Sequence, residues 1–120
     1  MKLYKANEIK LEKTDTNFFT GEVSRGLFMP AGVSKDFMMG VVSYPKGVRN
    51  KFHTHTGDQI LIATEGEGIV ATENEQWTMK VGDIMFIPGG INHWHGATAE
   101  STFSHIAIVR AGDKLKQTEE

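Results

Sequence analysis

The chain contains no cysteine. That excludes a disulfide framework and any thiolate metal site. It also fits a reducing compartment, and a cytoplasmic location is the expectation. No apolar run approaches the roughly 18 residues that a spanning helix needs. The first residues, "MKLYKANEIKLEKTD", lack the apolar core of a secretory signal. No membrane partner is therefore expected. Neither sign of charge dominates: 13 basic residues face 15 acidic ones, a formal net charge of −2. No cluster of Lys and Arg stands out, so the basic face of a nucleic-acid binder is missing as well. Helical periodicity is absent before the charged tail "DKLKQTEE", which reads as frayed or as a short helix.

What is present is a series of short β-type segments separated by Gly, Pro and polar turns. Residues 37–44, "FMMGVVSY", form an apolar run closed by Pro45. "QILIATEG" reads as a strand ended by Gly66 and Gly68. "GIVATENEQWTMKVGD" reads as a hairpin, and "IMFIPGG" as a strand stopped by Pro88. "NFFTGEVSRGLFMP" reads as two short strands, and "INHWHGATAESTFSHIAIVRAG" as two more. About eight strands or more at this spacing indicate an all-β barrel or jelly roll. The 120 residues are read as one domain, with its motif-bearing core over about 37–110.

Only five histidines occur, and all fall on three strand-like segments. His53 and His55 stand one residue apart, so on a strand they share a face. Gln59 has the same parity. His93 and His95 form a second same-face pair, and His105 lies on the next strand. In a small barrel the inward faces converge, and neutral imidazole is a common metal donor. An isolated H-x-H is more often a pair of solvent-facing residues. The concentration of every histidine on three strands argues for a shared site instead.

These residues resemble the cupin superfamily. Its first motif, G-x5-H-x-H-x3-4-E-x6-G, is matched by Gly47, His53, His55, Gln59 and Gly66. Its second, G-x5-P-x-G-x2-H-x3-N, is matched by Gly82, Pro88, Gly90 and His93, with Ala97 in place of Asn. The resemblance implies a single-domain cupin-type β-barrel with His53, His55, Gln59 and His93 as ligands of one divalent metal. The departure is Gln59, where most cupins carry Glu. An amide brings no charge and cannot take a proton, so any base must lie elsewhere.

From about Phe18 to Ile108 the chain is similar to a subgroup of small cupins that includes the manganese-dependent bacterial hydroxynitrile lyases. That likeness puts manganese first, with Fe, Co, Ni or Zn as alternatives. It implies His105 as the catalytic proton acceptor, and Gly40 and Val42 as walls of the substrate pocket. Met38 shares their parity and is added to that pocket. His95 either orients a ligand or forms a cavity wall. The function expected is a metal-dependent lyase or proton-transfer enzyme on a small organic substrate. A metal-dependent dioxygenase and a non-catalytic binding module are the alternatives. Phe18 and Phe19, with the apolar "QILIA" strand, suggest packing against a neighbouring chain, so a homodimer or higher homo-oligomer is expected.

Overall fold

The computed structural model describes residues 1–120. A short 3-10 turn, Ala6–Glu8, precedes ten strands. They are β1 (Glu12–Thr14), β2 (Val23–Leu27), β3 (Phe37–Tyr44), β4 (His53–His55) and β5 (Gln59–Ala71). Then follow β6 (Gln76–Lys80), β7 (Ile84–Ile87), β8 (Trp94–Ala97), β9 (Phe103–Arg110) and β10 (Leu115–Gln117). All pairings are antiparallel. The main sheet runs β1-β2-β3-β9-β5-β6, and β7 and β8 also pair with β5. A separate two-stranded sheet joins β10 to β4. The result is an all-β, curled antiparallel barrel.

Alternation along the strands decides what faces inward. On β9, Phe103 and His105 are wholly buried, and on β5 the same holds for Leu61 with Ala63 close behind. Tyr44 and Phe103 stack within the core with ring centroids 6.3 Å apart. Burying side chains of this size stabilises the fold by about 1.5–3 kcal/mol each. Met79 fills core space, at 2% exposure, whereas Met38 and Met39 line the cavity described below.

Three sequence expectations are corrected. Gly66 and Gly68 do not end a strand, because β5 runs through both to Ala71 with an irregularity between Ala63 and Glu65. They serve close approach. Gly66 has φ +67°, and a Cβ there would lie 1.8 Å from Thr102 O. A Cβ on Gly68 would lie 2.3 Å from the Phe103 ring.

The tail is neither frayed nor helical. Leu115, Lys116 and Gln117 pair with His55, Thr54 and His53. A charged segment takes this form because β4 offers it an unpaired edge. The segment around Phe18-Phe19 makes no regular strand. Phe19 forms a single bridge to Asn50 and is buried in its own core at 7% exposure. The phenylalanine pair therefore points to internal packing.

Candidate metal centre

His53 and His55 project from the same side of β4, two residues apart. β5 begins at Gln59, and His93 stands one residue before β8. The main chain draws these segments together through an antiparallel bridge between His53 and His93. The His53, His55 and His93 ring nitrogens able to act as ligands all lie within 4.8 Å of one another. His53 and His93 are each 1% exposed, and the His55 side chain is 9% exposed.

The Nδ1 atom of every ring is held by an acceptor. His53 Nδ1–H donates to Lys51 O at 2.7 Å, and His93 Nδ1–H donates to Ile91 O at 2.8 Å. His55 Nδ1–H donates to Asp113 Oδ2 at 2.5 Å. Carbonyl and carboxylate oxygens only accept, so Nδ1 of each ring carries a proton, and in the neutral ring the lone pair is left on Nε2. The Nε2 of His55 is buried without a hydrogen-bond partner. Gln59 Oε1 lies 3.3 Å from His93 Nε2, beside the cluster, and Gln59 is 5% exposed.

Burial, and next the neighbouring His93, hold the His53 pKa down to about 3. Burial likewise lowers that of His93. His53 and His93 are therefore neutral near pH 7, the form that donates to a metal. Three imidazole donors, with an amide oxygen beside them, suit a divalent transition ion.

His95 and His105 lie behind this cluster. His105 is wholly buried, its Nε2 is 3.1 Å from His95 Nδ1, and its own Nδ1 has no hydrogen-bond partner. His95 N–H donates to Asn50 Oδ1 at 2.8 Å, and Asn50 also reaches the Tyr44 hydroxyl. Burial lowers the pKa of His105 to about 4 and that of His95 further below its usual range. Burial raises that of Tyr44, which stays protonated.

A cavity of about 750 Å³ opens in front of the cluster. His55 and Gln59 lie at its inner end, and Met38, Gly40, Val42 and Ala107 form apolar walls. Lys10, Lys13 and Arg25 stand at its mouth against one acid, Glu12. Among the expected pocket residues, Met38, Gly40 and Val42 line this cavity. His95 does not, and neither does His105. The sequence reading missed Asp113, Asn50 and Arg25, and nothing in the spacing of those residues signals them. Away from the cavity, Arg49 pairs with both oxygens of Glu119 at 2.9–3.0 Å.

The family model for the cupin domain matches residues 40–109. The chain is a cupin. Among curated relatives of this cupin is the (R)-mandelonitrile lyase of Granulicella tundricola. It is 31% identical over 97 residues, which span 80% of this chain and 74% of that protein. An acireductone dioxygenase from Trichormus variabilis is 34% identical over 68 residues, 52% of this chain and 37% of that protein. A crystal structure of a cupin-like protein from Thermotoga maritima superposes with a TM-score of 0.84. It is 28% identical, with 90% of this chain and 84% of that one covered.

Proposed function

We propose that this cupin is a metal-dependent enzyme that performs lyase or proton-transfer chemistry on a small organic substrate, as in the cleavage of a cyanohydrin. One observation carries the reading: three imidazoles converge in a buried cluster, and one of them, His55, opens with Gln59 onto a cavity of about 750 Å³. The likeness to a mandelonitrile lyase supports it. Manganese is the metal proposed, held by His53, His55 and His93 with Gln59 beside them. A bound divalent ion supplies Lewis acidity toward a substrate oxygen or a departing anion.

The residues of the chain would do the rest. Met38, Gly40 and Val42 hold the organic body of the substrate away from water. The cations at the mouth favour a substrate that bears or releases negative charge, such as cyanide. As cyanide departs, the hydroxyl proton must be taken up, and it then returns to cyanide. His105 is assigned to that proton. It stands behind the cavity wall rather than on it, paired across the sheet with the wall residue Val42, and its Nε2 meets His95 Nδ1. Its low pKa suits a relay that passes the proton on, with His95 as its partner. The active form is proposed to be a cytoplasmic homodimer.

The likeness to acireductone dioxygenases favours one second reading, oxidation of an activated ligand. The test is to reload metal-free protein with manganese, iron, cobalt, nickel or zinc. Cyanohydrin cleavage and oxygen consumption are then measured side by side. Cleavage supports the lyase reading and oxygen uptake the dioxygenase. Silence in both with every metal rejects both in favour of a binding module.

A further inference from the structure

We propose that Asp113 supplies to the metal centre, through His55, the negative charge that Gln59 withholds. The inference rests on the metal-centre reading above and deepens it. Two of the three converging imidazoles are held by neutral backbone carbonyls, those of Lys51 and Ile91. Only His55 is held by a carboxylate, at the shortest of the three distances, 2.5 Å. The ligand set itself is neutral. Three imidazoles and an amide leave the full charge of a divalent ion uncompensated.

Asp113 is well placed to answer it. Its side chain is 4% exposed, so little of its charge is spent on water. No Lys or Arg pairs with its carboxylate: the nearby Arg110 guanidinium donates instead to Thr56 Oγ1, and the His55 ring is the side chain held at Oδ2. Its second oxygen accepts from Gly57 N–H at 2.8 Å and from Thr56 Oγ1 at 3.3 Å. These donors fix the carboxylate and leave Oδ2 aimed at the ring. Three donors converge on its two oxygens, the arrangement that favours the ionised carboxylate, which only accepts. A carboxylate on Nδ1 draws the N–H proton toward itself and makes Nε2 a more basic donor. The charge reaches the ion one ring away, where a Glu at position 59 would have delivered it directly.

Asp113 is thus a positioning residue, and its test separates charge from scaffolding. Metal affinity of the full chain is measured by chelator competition for wild type, His53→Ala, Asp113→Asn, Gln59→Glu and the Asp113→Asn, Gln59→Glu double variant. Wild-type uptake that His53→Ala abolishes secures the centre itself. Asp113→Asn should then weaken affinity by about 10–100-fold. Adding Gln59→Glu should restore it to within about threefold of wild type, because a charge returns by another route. The zinc-loaded wild type should also show a far-downfield His55 Nδ1 proton in its NMR spectrum, absent in Asp113→Asn. Unchanged affinity in Asp113→Asn, or a loss that Gln59→Glu does not repair, overturns the proposal. A wild-type chain that takes up no metal overturns this and the centre together.

Discussion

His53 and His93 each donate a backbone N–H to the other's carbonyl, at 2.9 and 3.0 Å. Their rings lie with centroids 4.3 Å apart, tilted 52° to one another. Two donors forty residues apart in sequence are thus set by the main chain, and the side chains have only to follow.

That pairing makes ligand removal a clean experiment. His53→Ala or His93→Ala should leave the bridge and the far-UV circular dichroism unchanged. Metal affinity should fall by more than about 100-fold, beyond the loss expected from removing a ligand's hydrogen-bond partner. Elemental analysis should move from close to one ion per chain to nearly none. Full occupancy in both variants would reject the assignment.

His105→Ala should behave differently. It leaves the three converging imidazoles in place, so uptake of metal should match wild type. Turnover of a cyanohydrin should fall by about 10²–10⁴-fold, the range for loss of a proton-transfer group. Wild-type turnover in this variant would remove His105 from the mechanism.

Acid should destabilise the metal-free protein early. His53 and His105 have folded-state pKa values of about 3 and about 4. In the unfolded chain both return to about 6.5. Above that value neither state binds the protons, and stability is flat. As pH falls from about 6.5 toward 4, the unfolded chain takes up protons that the folded one refuses. Each such histidine lowers stability by about 1.4 kcal/mol per pH unit in that window. Calorimetry across the range checks this. A melting temperature unchanged between pH 7 and pH 4.5 would contradict the buried, neutral state of these rings.

The outer face of β5 and β7 carries the fourth prediction. Ile60 pairs with Phe86, and Ile62 with Ile84. Ile84 and Phe86 are 66% and 58% exposed, an apolar surface that solvent alone covers poorly. Light scattering should give a dimer, and Ile84→Lys with Phe86→Glu should give a monomer of unaltered metal content. A wild-type monomer at micromolar concentration would count against it.

The cupin barrel and the gathering of His53, His55 and His93 were legible in the sequence, because strand parity and motif spacing are local signals. Asp113 was not. It meets His55 across fifty-eight residues, and only the pairing of β10 with β4 creates that contact. Gly66 and Gly68 were misread for a related reason: a glycine that ends a strand and one that admits Thr102 or Phe103 look alike in sequence. Phe19 looked like an outward-facing residue because its burial depends on Asn50 and the core beyond, not on its neighbours in the chain.

The cavity wall and the metal donors occupy different strands. Met38, Gly40 and Val42 stand on β3, which contributes no donor. The donors come from β4, the start of β5 and the approach to β8. Selectivity and reactivity can therefore drift apart over evolutionary time. A change at Val42 reshapes the chamber and leaves the ion's anchorage alone. Gly40 is less free, since a Cβ there would come within 2.8 Å of Gly26 O and push β2 aside. Diversification toward new substrates should begin at Val42 and Met38, with Gly40 changing only after β2 has yielded.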